Sequence, residues 1–163
     1  MACRWTVCLL AVGGLAACAQ VPERNPAATA PAAIVFWRLE ARVAMTGFNQ
    51  PTQLVVTNES DFQAVWEQLL RGAPSQQLPA IDFARELVVV VGIGGRATGG
   101  YQLRIDSVRD TGAVVEVMSS TRVPGERCAV ATTETAPVEV VRIPKVSKPI
   151  TFTMRTWTHD CLE

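Results

Sequence analysis

The chain has 163 residues, of which 48% are apolar and 18% are charged, with 15 basic and 15 acidic side chains. This apolar fraction excludes an intrinsically disordered protein, and the zero net charge excludes a polybasic nucleic-acid-binding protein. The mean hydropathy of +0.20 is high for a domain with so few charges, which indicates that one segment raises the average.

The N-terminal residues 1–17 predict a bacterial lipoprotein signal peptide. Arg4 precedes an uncharged apolar run of about ten residues, which is too short to span a bilayer. The run ends in Leu-Ala-Ala-Cys18, which is similar to the lipobox, where the cysteine thiol is acylated and the chain is cut just before it. The sequence therefore predicts lipidation of Cys18. The alternative is an ordinary signal peptide, cleaved after Ala17 or Ala19.

Acyl chains on Cys18 would anchor the mature protein stably, since each buried methylene contributes about 0.8 kcal/mol. Ala19 stands where an aspartate would favour retention in the inner membrane. We therefore expect a lipid-anchored protein of the cell envelope, on the outer membrane facing the periplasm in a cell with two membranes. Residues 18–33 are rich in Pro and Ala and are predicted to form a tether, which leaves residues 34–163 as a single domain.

The five cysteines sort by position. Cys3 and Cys8 leave with the signal peptide, and Cys18 takes the lipid. Cys128 and Cys161 remain, and in an oxidising compartment we predict a disulfide bond between them. Such a bond closes a loop of about 34 residues and would stabilise the domain by about 3–4 kcal/mol. Two free thiols or a bridge to another chain are the alternatives.

The first elements of the predicted domain are two strands and a helix. Alternating apolar residues predict strands over 36–43 and 52–57. An amphipathic helix is predicted near residues 60–71, with Ser60 and Gln63 as a capping box and Gly72 as the stop signal. One face of this helix is apolar and is formed by Phe62, Val65, Trp66, Leu69 and Leu70.

The apolar, β-branched run Glu86–Ile93 is the best candidate for a central strand. Further strands are predicted over 101–108, 113–119, 138–143 and 149–157, with a hairpin turn at 109–112. We therefore expect an α+β, mainly β fold, with an antiparallel sheet or sandwich-like domain of about seven strands and one helix.

Motifs for catalysis or cofactor binding lack the context that they need. The segment 92–97 matches the dinucleotide-binding pattern G-x-G-x-x-A, but the residues after it alternate like a strand, so no βαβ unit would hold a nucleotide. His159 is the only histidine, and the acidic residues are scattered singly. We therefore expect no cofactor, no metal site and no enzymatic activity.

A glycine-rich stretch follows the predicted central strand. One interpretation is a long connection between strands that contains several residues with positive φ. The other is a loop that presents its backbone to a protein partner, with Arg96 and Tyr101 as side-chain anchors. Both interpretations stay open. The candidate partner-binding residues are Gly94, Gly95, Arg96, Thr98, Gly99, Gly100 and Tyr101.

The buried strand that runs into Thr98-Gly-Gly-Tyr101 resembles the C-terminal domain of PrcB-like bacterial lipoproteins. The resemblance continues through 124–130 and 135–145, and it covers about residues 86–152. Val138 stands where an aromatic residue is expected. The resemblance implies a non-catalytic protein that binds a cell-envelope protease or another protein complex and stabilises or assembles it, and residues 98–101 would be the contact loop or the turn that shapes it.

Two other functions are alternatives. The Thr-Gly-Gly-Tyr loop is similar to the Thr-Thr-Gly-Tyr loop of chagasin-type inhibitors, which blocks the active-site cleft of cysteine proteases. An envelope lipoprotein that binds a small ligand is the third possibility.

Overall fold

The computed structural model describes residues 30–41 and 45–161 of the chain. These residues form eight strands and one helix: β1 (Ala32–Ile34), β2 (Trp37–Arg38), β3 (Pro51–Val56), α1 (Glu59–Leu69), β4 (Glu86–Ile93), β5 (Gln102–Asp110), β6 (Val115–Pro124), β7 (Val138–Pro144) and β8 (Ile150–His159). The predicted signal peptide, Cys18 with its lipid and most of the predicted tether lie outside the described residues.

The strands form two four-stranded sheets. Sheet I has the order β1-β5-β6-β8, and sheet II has the order β2-β7-β4-β3. All neighbouring strands are antiparallel except β6 and β8, which are parallel. The predicted mainly β fold with one helix is confirmed, but the expectation of antiparallel pairing throughout is wrong for β8.

Strand β4 lies at the centre of the domain because both of its faces are covered. Leu87, Val89 and Val91 pack against sheet I, where they meet Ile105, Val108, Val115 and Val117. Val88 and Val90 point the other way and pack against α1. Burial on both faces explains why the sequence of β4 is apolar throughout instead of alternating. The prediction of a central strand over these residues is confirmed with the same bounds.

Helix α1 covers sheet II through the predicted apolar face, of which Phe62, Val65, Trp66 and Leu69 are buried. The predicted capping box is wrong, since the N-cap is Asn58, whose side chain accepts a 2.9 Å hydrogen bond from the backbone N–H of Asp61. Asparagine is as good an N-cap as serine, and it starts the helix earlier.

The end of α1 also differs from the prediction. Leu70 is the C-cap, and Gly72 lies two residues beyond it with a φ of 78°. Gly72 therefore redirects the chain after the helix has ended. No helix in the described part of the chain is both long enough and apolar enough to cross a membrane.

Of the first predicted strand, over 36–43, only Trp37 and Arg38 lie in a strand among the described residues, and residues 42 and 43 lie outside them. The chain instead forms β1 at the edge of sheet I and β2 at the edge of sheet II, and it crosses between the sheets after Ile34. Strand β1 begins at Ala32, so the last two residues of the predicted tether belong to the first strand. The β5–β6 turn lies later than predicted, since the backbone N–H of Thr111 donates to the carbonyl of Val114 at 2.9 Å and Gly112 has a φ of 94°.

Candidate functional site

The glycine-rich loop, residues 94–101, carries the chain from β4 in sheet II to β5 in sheet I. Gly94 has a φ of 80°, and a Cβ atom there would lie 3.0 Å from the backbone nitrogen of Pro51. Gly100 has a φ of 88°, and a Cβ atom there would lie 2.7 Å from Cγ1 of Val130. These two positions require glycine for both backbone conformation and space.

Backbone hydrogen bonds hold the loop on two sides. The N–H of Gly95 donates to the carbonyl of Asn49 at 3.0 Å, and the N–H of Gly99 donates to the carbonyl of Ala131 at 2.8 Å. Arg96 and Thr135 exchange two bonds, of 2.7 and 2.9 Å, in an isolated antiparallel bridge. The loop is therefore fixed between the chain before β3 and the segment before β7.

The hydroxyl of Thr135 adds a further bond, which it donates to the carbonyl of Thr98 at 2.9 Å. The segment 131–136 thus supports most of the loop. This segment lies outside every strand and helix that the sequence predicts. No periodic pattern marks it, and its role depends on contacts with residues about 35 positions away in the chain.

The two predicted anchor side chains lie against each other. The guanidinium carbon of Arg96 is 5.4 Å from the ring centroid of Tyr101, which is a cation–π distance. Arg96 also donates from Nη2 to the carbonyl of Ile93 at 2.8 Å. Both side chains are half-buried, so the structure brings them together as part of the loop's own framework.

A groove of about 240 Å³ lies beside Tyr101. Its walls come from the segment after β2, the end of α1 and the start of β7, and they expose both polar and apolar atoms. The hydroxyl of Thr46 fixes one wall by donating to the carbonyl of Ala136 at 2.8 Å. The lining residues are Leu39, Ala41, Thr46, Leu69, Tyr101, Thr135, Ala136, Pro137, Val138 and Val140.

On the outer side of the loop, Gly95, Ala97 and Gly100 are exposed, whereas Gly94 and Gly99 are buried. The exposed backbone and the groove beside Tyr101 form one continuous end of the domain. This arrangement can offer backbone hydrogen bonds and a recess of mixed polar and apolar lining to a protein surface. We call this end, made of residues 95–101 and the groove, the loop surface.

Glu139 was not among the predicted site residues. Its carboxylate accepts from Nε of Arg38 and from the backbone N–H of Ile105, so it joins β7 to both β2 and β5. Arg38 also donates from Nη2 to the carbonyl of Ile105 at 2.8 Å. This cluster ties the two sheets together just beyond the loop. A single acid in a strand that is otherwise apolar apart from Arg142 is the only signal for it in the sequence.

The predicted disulfide between Cys128 and Cys161 is present, with Cα atoms 5.0 Å apart. Next to it, the N–H of Gly125 donates to the carbonyl of His159 at 2.8 Å, and Arg127 pairs with Asp160. His159 is thus the exposed last residue of β8, and its backbone is held to the end of β6.

Titratable groups do not gather around the loop surface. The described residues contain no group of three or more His, Cys, Asp or Glu side chains that could hold a metal ion. Hydrogen bonds from Lys148 and from the N–H of Gly112 lower the pKa of the Asp110 carboxyl. Asp110 ends β5, whereas the loop precedes it, so this shift is not a property of the loop surface.

The fold and the loop surface define a two-sheet β domain with one covering helix and a rigid connection between its sheets. Residues 87–144 match the family model described as PrcB C-terminal, and this part of the chain, from β4 to the end of β7, is PrcB-like. The predicted family resemblance is therefore confirmed. No curated protein and no solved structure matches the chain.

Proposed function

We propose that this protein is a lipid-anchored lipoprotein of the cell envelope whose domain is non-catalytic and binds another protein. The partner that we propose is a cell-envelope protease or a related complex, which the domain stabilises or helps to assemble. The observation that carries this proposal is the match of residues 87–144 to the PrcB C-terminal family, because the matched segment contains the whole glycine-rich loop. The lipobox sequence at Cys18 supports the anchor and, with Ala19, the outer-membrane location.

The rigidity of the loop suits it to binding a protein. Its backbone is already fixed by bonds to Asn49, Ala131 and Thr135, so binding would not have to order it. A preorganised surface loses less conformational entropy on association than a free loop does. The groove beside Tyr101 would take a side chain of the partner that has both apolar and hydrogen-bonding parts, which is the usual arrangement of an anchor in a pocket.

Affinity capture of the full-length lipoprotein from its own envelope tests the proposal. We expect an active protease in the eluate, and we expect Ala97→Asp to lower its recovery strongly. Ala97 is exposed on the loop surface, and a buried aspartate in the interface would lack a partner for its charge. The matched control is Ala113→Asp, which places the same charge at an exposed position in the β5–β6 turn.

Other outcomes of this capture contradict the proposal. If the wild-type protein recovers no protease, the proposal of protease binding is wrong. If the two variants recover the protease equally, the loop surface is not the binding site. If the lipoprotein itself inhibits papain-like activity stoichiometrically, it is a chagasin-like inhibitor. If it is a stabiliser, its deletion lowers the abundance of its protease. The intact mass of the captured protein should include acyl chains on Cys18, and an unmodified mass would contradict the anchor.

A further inference from the structure

Sheet I has one face that is not covered by sheet II. Ile105 and Val117 point toward sheet II, so the residues that alternate with them in β5, β6 and β8 lie on the opposite, outer face. The strand register places six of these side chains in two adjacent rows. One row is Gln102, Arg122 and Trp157, and the next is Arg104, Ser120 and Arg155.

Three arginines therefore lie together on three neighbouring strands. Arg104 and Arg155 each flank Ser120, so both are diagonal neighbours of Arg122. The Cα atoms of such neighbours are about 7–8 Å apart. Within residues 30–41 and 45–161, none of the three forms an ion pair. The whole chain carries no net charge, so this is a local excess of positive charge. We call it the arginine face.

Neighbouring groups of the protein neutralise the arginine face only in part, since the Asp106 carboxylate beside Ser120 brings one negative charge against three guanidinium groups. The carboxylate of Asp106, at the bulge in β5, accepts a 2.9 Å hydrogen bond from the hydroxyl of Ser120. The Nε atom of Arg122 is buried and has no hydrogen-bond acceptor in the described part of the chain. Buried polar groups without a partner are rare in folded proteins and call for an explanation.

The arginine face also borders an open sheet edge. Strand β8 ends the order of sheet I, and within the described residues no strand pairs with its outer side. Trp157 lies on this edge strand next to Arg122 and is 49% exposed. An edge of this kind can hydrogen-bond to an extended polypeptide.

We propose that the arginine face binds an acidic, extended segment of a protein partner. Guanidinium groups bind carboxylates through paired hydrogen bonds, and the free edge of β8 can pair with the backbone of the same segment. A membrane surface would use neither the edge nor the regular spacing of the rows, and Trp157 is the one large apolar side chain on the face that is exposed. This inference does not depend on the partner proposed above.

Binding of a fluorescently labelled octaglutamate peptide to the full chain tests the inference. We expect the triple variant R104Q/R122Q/R155Q to weaken binding about tenfold or more, and added salt to weaken binding to the wild-type protein. The control R71Q/R85Q/K145Q removes the same charge from exposed positions outside sheet I and should change binding less than about twofold. Arg155→Gln alone, at an exposed site, is the second variant if the triple variant fails to fold, and a smaller loss is expected from it.

The inference is overturned if octaglutamate does not bind, or if the arginine variants bind it as well as the wild type does. An equal loss in the control variant would show a general effect of net charge and would also overturn it. Vesicles with phosphatidylglycerol are the second probe. Arginine-dependent binding to these vesicles without binding to octaglutamate would assign the face to a lipid surface instead.

Discussion

Gly99 and Gly100 are neighbours in the sequence, but the structure gives them different roles. Gly100 has a φ of 88° and no room for a Cβ atom beside Val130. Gly99 has a backbone conformation open to other residues, and a Cβ atom there would lie 3.5 Å from Cβ of Ala131, an ordinary contact. The motif Thr-Gly-Gly-Tyr therefore contains one glycine that the fold requires and one that it tolerates.

The difference predicts unequal effects of the same substitution. Gly100→Ala should lower the free energy of unfolding by about 1–3 kcal/mol, because alanine is strained at positive φ and would press on Val130. Gly99→Ala should leave stability unchanged or raise it slightly, since alanine restricts the unfolded chain. Urea denaturation of both variants measures this. Equal destabilisation by the two substitutions would show that positive φ at Gly100 is not the cause.

At the scale of elements, the parallel pairing of β6 and β8 explains where the disulfide lies. Parallel strands end at the same edge of a sheet, so the segments that follow β6 and β8 leave the sheet side by side. Cys128 and Cys161 stand in these two segments. With an antiparallel β8, the two cysteines would leave opposite edges of the sheet.

The disulfide predicts a measurable share of the stability. The double variant C128S/C161S should lose about 3–4 kcal/mol of unfolding free energy, since the bond no longer restricts the unfolded chain. Urea denaturation of the wild type with and without reductant should show the same loss. The double variant should not respond to reductant, and a response there would mean that the reductant acts elsewhere. An unchanged wild-type stability after complete reduction would contradict the prediction.

The sequence predicted elements well where a residue pattern is set by local burial. Strand β4 was predicted because it packs against neighbours on both faces, which makes its sequence apolar throughout. The apolar face of α1 was predicted because the helix packs against neighbours on one side only. The N-cap was misplaced because both Asn58 and Ser60 can cap a helix, and the choice depends on which side chain reaches a free N–H. Alternation over 36–43 did not show that the strand there is only Trp37–Arg38 among the described residues, or that Ala32–Ile34 forms a strand of the other sheet.

At the scale of the whole molecule, the described domain has three layers: α1, sheet II and sheet I. The sequence predicted a mainly β domain. It did not predict the strand order or the direction of β8, because these depend on which distant strands meet. A period of two residues is the same in parallel and antiparallel strands. The glycine-rich stretch was correctly placed after β4, and its role in partner binding stays a prediction. Its support by residues 131–136 and the arginine face were not found, because both arise only from the register of non-neighbouring segments.

The loop surface and the arginine face lie on different parts of this layered structure. The loop surface joins the two sheets at one end, whereas the arginine face is the outer side of sheet I. Two separate partners, or two regions of one partner, could therefore occupy the domain without competing for the same residues. The variants A97D and R104Q/R122Q/R155Q separate these two activities.

The place of β8 in sheet I has a consequence for the order in which the chain acquires its structure. Strand β7, which enters the other sheet, must be made before β8 exists, and β6 keeps an open side until β8 is made. Ribosomes make the chain from its N-terminus, so a nascent chain that has not reached β8 would expose this side of β6 to other strands. Completion of sheet I therefore waits for β8.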